Sequence, residues 1–197
     1  MTVPNVLTIC RLFLAPVFVA FFVINRPWAA IVALVVAVLF EITDLLDGYI
    51  ARHFDQVSSL GKLIDPLADS VARFSVFLAF VTEESVAGDP WPVLLVAFIF
   101  YRDAIVAYMR TFAASTGVVM AARFSGKLKA VVQGIGIFTF LTVRTVSFYH
   151  EPLRQYRPVV FYCVMIPIVL VTVGSAFDYV LSNRSAIVQM ARRDEEE

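Results

Sequence analysis

One stretch of this chain, Pro158 to Phe177, runs for about 20 residues without a charge, the length an α-helix needs to cross the hydrocarbon of a bilayer. The other long apolar runs are cut short, meeting an Asp, Glu, Arg or Lys after roughly 12 to 14 residues. Composition decides how to read such broken runs. Apolar residues make up 60% of the 197 positions and charged residues 16%, against about a quarter in ordinary soluble proteins. Mean hydropathy is +0.81, which excludes a disordered chain and argues against a soluble globular domain. The 16 basic and 16 acidic residues balance, so no field points to nucleic acid. The expected fold is an all-α integral membrane protein in which the interruptions carry the function.

Periodicity and breakers predict six transmembrane helices: Asn5 to Asn25, Trp28 to Arg52, Leu60 to Glu83, Trp91 to Ser115, Lys127 to Phe148 and Gln155 to Leu181. They form one domain over 1–182, followed by a polar tail over 183–197. Pro27, Gly88-Asp89-Pro90, Ser125-Gly126 and Pro152 punctuate the connectors. The apolar run after Arg11 resembles a signal peptide in length but lacks a small-x-small cleavage site, so it is expected to stay in the chain. Cys10 and Cys163 lie in apolar surroundings, with no metal or disulfide spacing, and are expected to be small buried residues. Arg52, Lys62, Arg123, Lys127, Lys129, Arg184, Arg192 and Arg193 fall on one side, and only Arg26, Arg154 and Arg157 on the other. The positive-inside rule then puts both termini and a polar cavity on the cytoplasmic face, with Arg144, Arg154 and Arg157 as snorkelling anchors on the far face.

The densest interruption is Thr43-Asp44-Leu45-Leu46-Asp47-Gly48-Tyr49-Ile50-Ala51-Arg52, followed after eight residues by Gly61 and then Asp65 and Asp69. Asp44 and Asp47 share a stripe of the second helix, and Gly61, Asp65 and Asp69 one of the third. A short connector makes these helices antiparallel neighbours, so four carboxylates can converge on one cavity. Unpaired, they would repel one another and resist desolvation. Oxygen-only ligands suit Mg²⁺, Mn²⁺ or Ca²⁺ rather than Zn²⁺, and two ions about 4 Å apart would neutralise four carboxylates and clamp a diphosphate. Small residues at Gly48, Ala51 and Gly61 let a ligand approach the backbone, where Arg52 and Ser58 offer donors. The competing account pairs the acids with Arg11, Arg52, Lys62 and Arg73 as salt bridges between packed helices.

The string D-x-x-D-G-x-x-A-R-x8-G-x-x-x-D-x-x-x-D fills eight fixed positions over 26 residues. It resembles the signature of the CDP-alcohol phosphatidyltransferase family. The resemblance implies a six-helix membrane fold, commonly a homodimer, in a bacterial-type inner membrane. It implies transfer of a phosphatidyl group from CDP-diacylglycerol to an alcohol, with CMP released. By position, Asp44, Asp47, Asp65 and Asp69 would hold metal, and Asp69 would also be the general base. Asn5, Thr8, Thr43, Gly48, Arg52, Ser58 and Gly61 would meet the CDP-lipid.

The opening Val3-Pro4-Asn5-Val6-Leu7-Thr8-Ile9-Cys10-Arg11, together with Gly126-Lys127-Leu128-Lys129 and Gln133, resembles the branch of that family whose acceptor is glycerol 3-phosphate. Asn5 and Thr8 serve equally well as helix caps on this reading. A phosphorylated acceptor needs cations, which Arg110, Lys127 and Lys129 would supply. Otherwise the lysines are membrane anchors and Arg110 pairs with Asp103. Ser70, Asp103 and Ala130 depart from the branch's usual Lys, Glu and Thr, which leaves inositol phosphate, inositol and serine as alternative acceptors. A small ion transporter built on intramembrane acids would explain the carboxylates but not Gly48, Ala51-Arg52 and Gly61 at those spacings.

Overall fold

A computed structural model describes residues 3–54, 59–115, 124–184 and 187–188. Among them the chain is helical, without a strand. The helices are α1 (Val3–Val23), α2 (Pro27–His53), α3 (Ser59–Phe80), α4 (Trp91–Ser115), α5 (Phe124–Ser147), the single turn α6 (Glu151–Arg154) and α7 (Arg157–Ser182). A 3₁₀ turn, Glu84–Val86, lies between α3 and α4. Pro27 opens α2 at the position where its fixed φ and missing N–H cost nothing. Gly88 turns the chain into α4 at φ +86°, a left-handed conformation that side chains resist, and Asp89 Oδ1 then accepts from the Trp91 amide at 3.1 Å.

Of the expected helices only α4 keeps both bounds; α1 runs over Val3–Val23 instead of Asn5 to Asn25, and α5 starts at Phe124 instead of Lys127. α3 ends at Phe80, which leaves Glu83 outside the helix. The last helix starts at Arg157 instead of Gln155, after the separate turn α6. Five helices are long and apolar enough to cross a membrane: α1, α2 as far as Ile50, α4 as far as Met109, α5 and α7. α3 stands outside that set because Lys62, Asp65, Asp69 and Arg73 crowd its first half. The distribution of surface residues fits a membrane protein. Phe13 and Leu170 are 71% and 67% exposed, while Arg11 and Gln133 are 1% and 0% exposed, the reverse of a soluble protein's pattern. Cys10 and Cys163 are also exposed, where a small apolar thiol suits lipid contact better than the core position expected for it.

The chain forms two compact units, Met1–Pro92 with Ile137–Phe161, and Val93–Gly136 with Tyr162–Glu197. In the first unit α1 packs on α2 and α3. Ala29, Ala30 and Ala33 of α2 are fully buried and let neighbouring backbones approach. An aromatic core closes behind them: the Phe80 and Phe140 ring centroids lie 4.8 Å apart, Phe140 and Phe161 5.4 Å, and Phe22 and Phe80 5.5 Å. In the second unit, a Cβ on Gly136 would fall 2.6 Å from Ile168 Cδ1 and 2.9 Å from Val164 Cγ1, so glycine permits this contact between α5 and α7.

Candidate functional site

The start of α1, the end of α2 and the start of α3 bring the expected carboxylates together. Thr8 is fully buried, and its hydroxyl lies 2.7 Å from Asp65 Oδ1, 3.1 Å from the Pro4 carbonyl and 3.4 Å from Asp47 Oδ2. The one hydroxyl proton is best placed for Asp65, so Thr8 ties α1 to α3 beside Asp47 of α2. One turn along α1, Arg11 spans two carboxylates. Its Nη2 donates to Asp47 Oδ2 at 2.6 Å, and its Nη1 lies 2.8 Å from Asp44 Oδ1. Arg73 Nε donates to Asp69 Oδ1 at 3.0 Å, one turn apart on α3.

Asn5 and Thr8 lie inside α1 on its buried face, so Thr8 acts as a bridge between helices and not as a cap. The Thr43 hydroxyl lies 2.8 Å and 3.0 Å from the Leu39 and Phe40 carbonyls, and its proton is taken up within α2. Gly48 is partly buried, immediately after Asp47. Ser58 lies outside the described residues. Arg52, Gly61 and Arg110 belong to described helices, but their side-chain positions lie outside the description.

Among the described residues, no three acidic, His or Cys side chains gather as tightly as a metal ion requires. The expected convergence of four carboxylates is thus met only in part. Arg11 stands between Asp44 and Asp47, and Thr8 between Asp47 and Asp65. Electrostatics explains the spacing, because carboxylates draw together only around a cation and here the cation is a guanidinium. Even so, among the described side chains four aspartates face two arginines, Arg11 and Arg73, and Glu41 lies near as well, lining a cavity of about 20 Å³ with Arg11, Asp69 and Arg73. Oxygen donors in excess over nearby cations fit a divalent metal ion in both chemistry and charge. Arg11 and Glu41 were the residues that sequence reasoning undervalued. The signal available was a lone arginine one turn after Thr8 in an otherwise apolar helix.

The other end of the same helices holds a second ionic cluster that the sequence did not reveal. Glu83 is 1% exposed. Arg144 Nε donates to Glu83 Oε2 at 2.7 Å, and Arg157 Nη1 lies 3.6 Å from Glu83 Oε1. Arg144 also donates to the Phe22 carbonyl at 2.9 Å and sits 4.0 Å over the Phe22 ring, while Arg157 donates to the Ser147 hydroxyl and sits 4.3 Å over Phe148. Arg144 and Arg157 are therefore buried structural groups, not the snorkelling anchors expected. Arg154 remains exposed, 3.5 Å from Glu84.

In the second unit, Asp103 gathers two cations. Lys129 Nζ lies at 2.6 Å and Arg102 Nη1 at 2.9 Å, and Arg102 Nε donates to the Ser175 hydroxyl at 3.0 Å. Asp103 thus holds Lys129, and the Arg110 pairing considered from sequence lies outside the described side chains. Lys127 is exposed.

With this geometry in place, the chain can be compared with known proteins. The sequence profile of the family described as CDP-alcohol phosphatidyltransferase matches residues 1–173. A Cereibacter sphaeroides protein named CDP-diacylglycerol–glycerol-3-phosphate 3-phosphatidyltransferase is 36% identical over 138 residues, covering 69% of this chain and 61% of that protein. A Rickettsia bellii protein of the same name is 37% identical over 130 residues, covering 66% of this chain and 69% of that one. A Salmonella typhimurium protein, again so named, is 31% identical over 137 residues, covering 68% and 74%.

Proposed function

The chain belongs to the CDP-alcohol phosphatidyltransferase family, and on that premise we propose that it transfers a phosphatidyl group from CDP-diacylglycerol to glycerol 3-phosphate, giving phosphatidylglycerophosphate and CMP. The observation that carries the reading is the set of aspartates from two helices tied together by Thr8 and Arg11, with fewer arginines than carboxylates beside them among the described side chains. The printed names of the relatives support the choice of donor and acceptor.

The acceptor hydroxyl attacks the phosphorus that carries the diacylglycerol. The bond from that phosphorus to the oxygen bridging it to CMP breaks, and CMP leaves with the electron pair. Asp69, oriented by Arg73, takes the hydroxyl proton as general base, because an alcohol is a weak nucleophile at neutral pH. Asp44, Asp47 and Asp65, with Asp69, would hold two Mg²⁺ or Mn²⁺ ions. When bound, these ions neutralise charge developing on the diphosphate and the leaving CMP. Thr8 fixes the Asp65 carboxylate against α1. Asn5, Thr8, Thr43, Gly48, Arg52, Ser58 and Gly61 are assigned to the CDP-lipid, with Thr43 acting through its place in α2. Arg110, Lys127 and Lys129 are assigned to the acceptor phosphate, with Lys129 held by Asp103 until the acceptor arrives.

In this reading α3 is a sixth crossing and the carboxylates face the cytoplasm with both termini. The acyl chains then stay in lipid while the headgroup reaches the aspartates. The enzyme acts as a homodimer in a bacterial inner membrane. Purified protein given CDP-diacylglycerol, Mg²⁺ or Mn²⁺ and a panel of labelled alcohols tests the assignment. CMP release with glycerol 3-phosphate above all others is expected. Release only with inositol phosphate, inositol or serine would overturn the acceptor, and release with none would overturn the transferase reading.

A further inference from the structure

Arg11 is buried to 1% exposure on a helix otherwise apolar from Leu12 to Val23, and the transfer chemistry gives it no task. It grips the same two aspartates that the metal assignment uses, Asp44 at 2.8 Å and Asp47 at 2.6 Å. A guanidinium and a divalent ion cannot both occupy the space between those oxygens at such distances. The grip is also incomplete. Arg11 Nε and Nη1 are buried without a hydrogen-bond partner, so Nη1 meets Asp44 as a charge and not through an aligned N–H. Beside Arg11 lies the cavity of about 20 Å³, room for about one water, with Glu41 on its wall. Glu41 precedes Asp44 by three residues on the same stripe of α2, so a third carboxylate faces the cavity that Arg11 lines.

We infer that Arg11 is a built-in counter-ion that holds Asp44 and Asp47 in the metal-free protein, yields them to the incoming divalent ion and withdraws towards Glu41. Arg11 is a positioning residue on this account, acting through the two aspartates. It keeps α1 and α2 together when no metal is bound, and its release couples metal entry to a change in charge beside the diphosphate site. The inference rests on the metal assignment proposed above.

Mn²⁺ titration of the purified full chain in detergent, read by electron paramagnetic resonance and by thermal unfolding, tests it without recourse to turnover. Arg11→Met should unfold at a lower temperature than wild type in EDTA, bind Mn²⁺ roughly tenfold more tightly because its competitor is gone, and regain most of its stability when loaded. Glu41→Gln leaves Arg11 in place and should bind Mn²⁺ more weakly than wild type, since the displaced guanidinium loses its second acid. Mn²⁺ affinity that is unchanged or weaker in Arg11→Met, or unchanged or tighter in Glu41→Gln, would overturn the inference while leaving the metal site standing. Should Arg11→Met fail to fold, the Glu41→Gln arm decides alone. Absence of Mn²⁺ binding in wild type and both variants would overturn the metal assignment itself, and the inference with it.

Discussion

The first unit carries two buried ionic clusters at opposite ends of the same helices, and they are built with opposite logic. At the far end one glutamate, Glu83, serves two arginines, whose remaining donors reach the Phe22 carbonyl and the Ser147 hydroxyl and whose planes lie on aromatic rings. At the near end, among the described side chains, Arg11 serves Asp44 and Asp47, Arg73 serves Asp69, and Asp65 has the Thr8 hydroxyl, so carboxylates outnumber cations four to two. The far cluster sets two arginines against one carboxylate and acts as a clasp, although Glu83 Oε1 and Arg144 Nη1 are buried without a hydrogen-bond partner among the described residues. The near cluster is short of cations among the described residues, and a site short of cations is one that a ligand completes. Buried charge alone therefore does not mark a functional site. The sign and size of the local imbalance does.

Substitutions at the two ends should separate the roles. The largest effect is expected from Asp69→Asn, which removes the proposed general base. Turnover should fall by about 10²- to 10⁴-fold, with CDP-lipid binding still measurable. Retained turnover in that variant would reassign the base. Glu83→Gln should do the opposite. It leaves Arg144 and Arg157 buried without a counter-charge and should cost about 3–5 kcal/mol of stability, with CMP release per folded molecule unaltered. A stable Glu83→Gln protein would mean the far clasp is not what holds α3, α5 and α7 at that end.

Smaller changes sharpen the contrast. Thr8→Val removes the bridge between α1 and α3 without removing a charge. It should lower stability by about 1 kcal/mol and kcat/KM several-fold, measured by denaturation and by initial rates. Arg154→Ala breaks an exposed pair at the far end and should change stability by no more than about 0.5 kcal/mol, although it lies close in sequence to the buried Arg157.

What the sequence made legible follows from what periodicity can see. The bounds of α4 agree with the reading because Gly88 and Asp89 fix its start by local backbone chemistry. The aspartates were legible because i, i+3 and i, i+4 spacing places them on single stripes of α2 and α3. Periodicity does not say which cation reaches across from another helix, so Arg11 stood as one pairing candidate among four, and Thr8 as a cap. The far cluster was hidden for the same reason. Glu83, Arg144 and Arg157 are distant in sequence, and each alone looks like a charge at a membrane boundary. The start of α7 at Arg157, two residues later than expected, coincides with the residue that reaches Glu83 and Ser147.

The central claim is that the cation-poor cluster at the near end carries out divalent-dependent phosphatidyl transfer. CMP release from CDP-diacylglycerol and glycerol 3-phosphate, followed as Mg²⁺ is titrated into EDTA-treated protein, tests it most directly. The account predicts no release in EDTA, saturable recovery with Mg²⁺, and no recovery in Asp47→Asn. Full release in EDTA, or full recovery in Asp47→Asn, would contradict it.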